Sequence, residues 1–340
     1  MSVVDSASPG SVTILGAGSW GTALAIHLAS AGLEVTLWGN EADHMARLQQ
    51  QRCNQQFLPD IAFPDNLHIQ ADLAPALNSA GWILLAIPSY AFRSFLSKAS
   101  SLIDKETAVT WASKGLEEGS GKLLHQVVKE ELVQCSRFAV ISGPTFAKEV
   151  AMGMPTAITV ASESNALATE ISHCLHHGNF RAYTSNDVIG VELGGALKNV
   201  LAIASGIADG LGFGANARAA LITRGLAELM RLGVTMGGSR ETFMGLAGMG
   251  DLVLTCTDNQ SRNRRMGLKL AEGLSKEQIR EEIGQEIEGV RTAREAMHLS
   301  EKFQVELPII EQVYKVLYED LSPQEAVRHL LERAPTAEVH

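Results

Sequence analysis

A run of branched and apolar residues, Val12 to Leu15, stops at Gly16-Ala17-Gly18-Ser19-Trp20-Gly21, and a helix-like stretch, Thr22 to Ala31, follows at once. That order of strand, GxGxxG turn and helix admits few folds, because the helix must pack straight back on the strand that feeds it. Gly16 takes the tight backbone geometry, Gly18 removes a side chain where a pyrophosphate must approach, and Gly21 lets helix and strand close on each other. The unpaired N–H groups that open the helix then face the anion. A glycine string alone is weak evidence. Its place between a strand and a helix, with a second strand at Val35 to Trp38, makes it a dinucleotide-binding turn.

The pattern continues as an alternation. A second helix is expected over Glu41 to Arg52, strands at Trp82 to Ile87, Val109 to Ala112 and Phe138 to Ile141, and a helix over Leu123 to Leu132. Such alternation predicts a mostly parallel sheet covered by helices. Ala157 to Ala161 extends it, with Arg181 to Thr184 near its edge. From about Val188 the chain changes character: Gly190 to Ile207, Ala215 to Leu232, Arg291 to Glu301 and Ile309 to Tyr318 are rich in Ala, Leu and Met at helical spacing. Two domains are therefore expected, 11–189 with a dinucleotide-binding sheet and 190–333 all-helical, ahead of a solvated tail from Ala334 to His340.

Charge and cysteine usage narrow the function. Lys and Arg number 28 against 38 Asp and Glu, a net charge of −10, and both domains are acidic. That disfavours a nucleic-acid binder, which needs a broad basic surface. Cys53, Cys135, Cys174 and Cys256 lie far apart, with neither redox nor zinc spacing. The N-terminus lacks the basic start and apolar core of a signal peptide. The longest apolar run noted, Trp82 to Pro88, is far short of the roughly 20 residues of a membrane span. A cytoplasmic protein with no membrane span is expected.

Several residues beyond the turn carry chemistry. The end of the second strand reads Trp38-Gly39-Asn40, with Glu41 next and Arg47 two turns on. An acid at that strand end would favour NADH and its absence NADPH, so both cofactors stay open. Lys114, in Ser113-Lys114-Gly115, follows a strand at the end where open α/β sheets bind ligands; it is either an anion holder or a solvated turn lysine. Lys198 is embedded in the apolar segment Glu192 to Val200. Restricted solvent there lowers an ammonium's proton affinity and makes it a general acid or base, unless it reaches back to water. Asp251 either pairs with such a lysine or caps a helix. Asn259 to Arg265 is dense in donors suited to a phosphate, and one or two of Arg262, Arg264 and Arg265 are expected to face solvent. His173, His176 and His177 lack the acidic ligand and frame of a metal site, and the methionines between Met230 and Met266 read as core.

Taken in order, GAGSWG at 16–21, SKG at 113–115, SGPTFAKE at 142–149, ELGGALKNV at 192–200, GFGANARAALITRGLAE at 212–228 and GLAGMGDLVLTCTDNQSRNRR at 245–265 resemble the NAD(P)-dependent glycerol-3-phosphate dehydrogenase family in its bacterial biosynthetic form. The resemblance covers residues 11 to 333. It implies an α/β Rossmann-like N-terminal domain, an all-helical C-terminal domain and a homodimer. It also implies reversible conversion of dihydroxyacetone phosphate and NADPH or NADH to sn-glycerol 3-phosphate, a phospholipid precursor, with no metal required.

Carried over residue by residue, the resemblance puts Gly16, Gly18, Ser19, Trp20, Gly21 and Asn40 at the cofactor, with Ala147, Arg262 and Glu288. Lys114 is shared between cofactor and substrate. Gly143, Thr145, Ser261, Arg262 and Asn263 hold substrate, and Lys198 transfers the proton with Asp251 in support. Two positions depart from the family pattern: Glu286 stands where an apolar residue is common, and Asn40 where a basic or imidazole side chain is frequent. A hydroxyacid or 6-phosphogluconate dehydrogenase shares the turn and a helical second domain. A nucleotide-sensing module without catalysis is the alternative from another class.

Overall fold

The computed structural model describes residues 10–78 and 80–334. The expected tail from 335 onward, like the N-terminal nine residues, lies outside the described residues. Ten strands are present among them: β1 (Ser11–Leu15), β2 (Glu34–Trp38), β3 (Cys53–Asn54), β4 (Leu58–Ala62), β5 (Leu67–Gln70), β6 (Trp82–Leu85), β7 (Ala108–Trp111), β8 (Phe138–Ser142), β9 (Thr156–Ala161) and β10 (Phe180–Ser185). Eight of them form one sheet in the order β10-β9-β8-β7-β6-β1-β2-β5, and β3 and β4 make a separate antiparallel ribbon. Pairing is parallel throughout the large sheet except between β8 and β9, where Val140 lies opposite Ala161 in antiparallel register.

Strands β6, β7 and β8 are buried along their whole length. That is the signature of strands covered on both faces, and it explains why they read as unbroken apolar runs. From β1 the chain builds outward through β2 to β5, then returns to the other side of β1 as β6. The switch leaves a crevice beyond the carboxyl ends of β1 and β6, where such sheets bind ligands. The Rossmann-like first domain and helical second domain expected from the sequence are both present. Strand β5 and the β3–β4 ribbon were not anticipated: they are short, polar and only partly buried.

Beyond Ser185 the described chain is helical. The helix Val188–Gly210 is almost wholly buried and forms the axis on which the others pack. Its glycines set how closely they come. A Cβ on Gly194 would lie 2.5 Å from the Ala247 carbonyl oxygen, and one on Gly206 2.1 Å from that of Arg264. By length and composition this helix would cross a membrane, so Trp82 to Pro88 is not the chain's most span-like segment. Here 94% of its most apolar window is inside the protein, which makes it a core helix. Glu192, on this helix, ties the halves of the molecule together. One carboxylate oxygen accepts from Trp111 Nε1 (3.1 Å) and the His125 backbone N–H (2.9 Å); the other meets His125 Nδ1 at 2.5 Å.

Glu228, on the helix Ala215–Thr235, is a second buried acid with a structural task. Its carboxylate accepts the N–H groups of Ile309 (2.7 Å) and Ile310 (3.2 Å), which open the helix Pro308–Tyr318. Burial nonetheless pushes its pKa up to about 7 from 4.5. The folded state therefore binds a proton that the unfolded chain has released between those values, so Glu228 costs stability as pH rises through that window. Unfolding free energy should fall by at most about 3 kcal/mol from this group between pH 4.5 and 7. Denaturant titrations at several pH values check this: the fall should be smaller in Glu228→Gln, and parallel curves for the two proteins would contradict it.

Candidate active site

One end of the candidate site begins where β1 runs into the helix Ser19–Ser30. Gly16 has φ +122°, and a Cβ there would sit 2.5 Å from the Ala86 carbonyl oxygen at the end of β6. Only glycine fits both demands. A Cβ on Gly21 would come within 1.9 Å of the Gly16 carbonyl oxygen, whereas Gly18 faces open space with nothing within 4 Å. Gly18 is the helix N-cap and no side chain caps the first turn. An open cradle before uncapped N–H groups suits a pyrophosphate, so the residues present fit a dinucleotide. Trp20 packs against the core beneath the turn, and its buried indole N–H finds no partner among the described residues. Asn40 is exposed just past β2, and Arg47 is engaged with Gln56 at 3.2 Å. Ala147 opens a short helix packed on the same core.

The other end of the candidate site is assembled between the sheet and the helices that follow it. Asp251, 1% exposed, lies in the first turn of the helix Asp251–Thr257, directly after a π-helical turn at Leu246–Gly250. It does not cap that helix; its two oxygens hold two lysines instead. Lys198 Nζ donates to Oδ1 at 2.7 Å and Lys114 Nζ to Oδ2 at 2.7 Å. Lys198 also donates to Thr255 Oγ1 (2.8 Å), and Lys114 to the Gly143 carbonyl (2.9 Å), which accepts from Thr145 Oγ1 as well (3.1 Å). Gly143 has φ +153°, and a Cβ on it would strike Ile158 Cα at 2.9 Å. Lys198 is buried with its amine on the acid and does not reach back to water. Burial pushes its pKa down to about 8, Asp251 opposing the shift and Lys114 adding to it.

A chain of amides continues from this cluster. Asn199 Nδ2 reaches the Lys114 carbonyl at 3.4 Å, and Asn263 Nδ2 donates to Asn199 Oδ1 at 2.9 Å. Asn263 Oδ1 in turn accepts the Gly289 N–H at 2.9 Å. Ser261 caps the helix Arg262–Ala271 by accepting the Arg264 N–H. Of the three arginines, two keep partial access to solvent and one does not. Arg264 is buried against Asp209, Ser205, the Cys256 carbonyl and Asn259, a structural anchor; Arg262 and Arg265 are half-buried. The helix packs so tightly on Val188–Gly210, where Gly206 meets Gly267, that polar contacts must be found inside. Burial lowers the Arg262 pKa, with the Glu288 charge opposing it. Glu288 is half-buried and the desolvation of its carboxyl raises its pKa; Ser89 holds it with both N–H (3.0 Å) and Oγ–H (2.6 Å). The unusual Glu286 turns away to Arg291 at 3.1 Å.

The three histidines His173, His176 and His177 are exposed, and Met244 is exposed rather than core. Among the described residues no group of three or more His, Cys, Asp or Glu is placed to hold a metal ion.

Family models agree with this two-part arrangement. The N-terminal model of NAD-dependent glycerol-3-phosphate dehydrogenase matches residues 11–168, and its C-terminal counterpart matches 187–328. This chain belongs to the NAD(P)-dependent glycerol-3-phosphate dehydrogenases. It is 53% identical over 325 residues to glycerol-3-phosphate dehydrogenase [NAD(P)+] of Escherichia coli O1:K1, covering 95% of this chain and 96% of the relative. The crystal structure of glycerol-3-phosphate dehydrogenase from Coxiella burnetii superposes with a TM-score of 0.93 at 49% identity, over 95% of this chain and 99% of that one. The Saccharomyces cerevisiae glycerol-3-phosphate dehydrogenase gives 0.81 at 27% identity, over 96% and 100%. The chain is thus an oxidoreductase with an NAD(P)-binding fold.

Four residues around this cluster carry no role readable from the sequence alone. Thr255 lies one helical turn after Asp251, a spacing that placed it on the same face. Asn199, Ser89 and Gly115 had no such signal, since their partners are distant in sequence. A Cβ on Gly115 would strike Ser89 Oγ at 2.5 Å and Glu288 Oε2 at 2.8 Å.

Burial lowers the proton affinity of Lys198 and the shared carboxylate partly restores it. Asp251→Asn should lower the pH at which Lys198 loses its proton by on the order of one unit. Nitrogen-detected NMR of the lysine amines, assigned with Lys198→Met, reads it directly; an unmoved titration would refute the coupling.

Proposed function

We propose that this chain interconverts dihydroxyacetone phosphate and sn-glycerol 3-phosphate with NADPH or NADH, Lys198 moving the proton at the substrate oxygen. The observation that carries this reading is a buried lysine whose amine rests on an acid shared with a second lysine. The bound nicotinamide supplies or accepts the hydride. Gly16, Gly18, Ser19, Trp20 and Gly21 would hold its dinucleotide, with Asn40 at the ribose end and Ala147, Lys114, Arg262 and Glu288 farther along. Residues 11–189 would form that cofactor domain and 190–333 the substrate domain.

On the substrate side, two lysines against one carboxylate leave a net positive charge beside the reacting carbon. That field favours the negative charge that grows on the carbonyl oxygen during reduction. Lys198, with a pKa near 8, holds a proton at neutral pH yet gives it up without a large penalty. In the reverse direction its neutral amine takes the hydroxyl proton. Arg262, Ser261 and Asn263 would grip the phosphate away from the chemistry, with Gly143 and Thr145 bordering the substrate. None of these steps calls for a metal. We place the enzyme in the cytoplasm as a homodimer that feeds glycerophospholipid synthesis, on family resemblance.

The first test follows absorbance loss of NADPH and NADH separately on adding dihydroxyacetone phosphate, with product quantified. Folded protein that oxidises neither refutes the reading, and the two kcat/KM values decide cofactor preference. Lys198→Met should lower kcat by at least about 100-fold with the fold retained, as circular dichroism would show. In the parent, reduction should fade and oxidation should strengthen as pH rises through about 8, because reduction needs the protonated amine. Identical profiles for both directions would remove Lys198 from the proton step. Arg262→Ala should raise KM for the phosphate-bearing substrate at least about tenfold; an unchanged KM would displace it from the phosphate pocket.

A further inference from the structure

The Ala17 carbonyl, inside the glycine-rich turn, accepts from two side chains of the region that follows β2. Asn54 Nδ2 donates to it at 3.0 Å, and His44 Nε2 approaches at 3.3 Å. The same Asn54 amide donates to Thr22 Oγ1 on the first helix at 2.8 Å, and its Oδ1 accepts the Phe57 N–H at 3.2 Å. Asn54 is fully buried in β3, with both of its N–H groups spoken for. Burying an amide this completely is tolerable only when its partners are fixed.

The consequence lies in the peptide plane between Ala17 and Gly18. It is trans, so the carbonyl of one residue and the N–H of the next point in opposite directions. Pinning the Ala17 oxygen toward Asn54 turns the Gly18 N–H away from the β3–β4 ribbon. Gly18 is the residue whose Cα borders open space at the uncapped helix start. The second bond, to Thr22, locks that plane to the helix whose first N–H groups share the cradle.

We propose that Asn54 is a positioning residue for the dinucleotide: from a ribbon outside the strand–turn–helix unit, it fixes the peptide plane that presents donors to the pyrophosphate. The proposal rests on the pyrophosphate contact proposed above for Gly16 to Gly21. It separates Asn54 from groups at the adenosine ribose, because the pyrophosphate is common to NADPH and NADH.

Binding of each cofactor without substrate, followed by its own fluorescence, tests this. Asn54→Asp replaces a donor with an acceptor opposite the Ala17 oxygen. It should weaken NADPH and NADH by the same factor, about tenfold, with their ratio unchanged. Thr22→Val leaves Asn54 in place and removes only its second acceptor. It should weaken both cofactors about threefold and add less than its full effect in the double variant. Folded variants that bind both cofactors as the parent does overturn the proposal, and so does a loss confined to one cofactor. Should Asn54→Asp fail to fold, unchanged affinities in Thr22→Val overturn it alone. A parent that binds neither cofactor would bring down the cofactor reading together with this one.

Discussion

One carboxylate holds the site together. Asp251 is almost inaccessible, and its two oxygens are divided between a lysine that follows β7 and a lysine on the central helix of the other domain. A charged Lys198 would be costly at that depth without it, and the buried carboxylate would be costly alone. The arrangement therefore fixes the relative placement of sheet and helices at the proposed catalytic site. Glu192 repeats the device a short way along the same helix, binding Trp111 and His125 of the sheet domain, and Glu288 repeats it at Ser89. Three acids on the helical side reach donors on the sheet side, so the crevice is set by directional bonds and not by apolar contact alone.

Space for these bonds is made by glycines. Gly195 lies against Ser142 and the Lys114 stem, where a Cβ would come within 2.7 Å of the Ser142 oxygen. Gly115 stands under the Ser89–Glu288 pair in the same way. The ELGGALKNV and SKG strings are thus packing requirements as much as sources of a lysine. Small residues let two backbones approach; the long side chains beside them then meet at hydrogen-bond distance.

Much of this could be read from sequence because it is local. Gly16 to Gly21 announces itself by order along the chain, and the switch near Val188 from strand to helix periodicity marks where the architecture changes. Lys198 stood out as a charge in an apolar helix, and that mismatch was the useful signal. What escaped notice depends on partners far away in sequence. Arg264 looks like a surface donor until Asp209, 55 residues earlier, is brought beside it. Asn54 is an ordinary polar residue in a polar stretch until Ala17 and Thr22 close on it. Strand β5 is four residues long, and only its pairing with β2 defines it. The reversal at β9 is equally invisible to periodicity, since parallel and antiparallel strands alternate alike.

The central helix carries a cost of its own. Its burial is complete only while the surrounding helices remain closed on it, and among the described residues no other helix is long and apolar enough to span a bilayer. A chain still leaving the ribosome, or one partly unfolded by heat, therefore displays a segment with the length and hydropathy of a membrane anchor. Lys198 and Glu192, two charged side chains buried in the folded protein, interrupt that segment and weaken its claim on a lipid phase. The same side chains that hold sheet and helices together in the folded protein thus break the apolar run of the unfolded one.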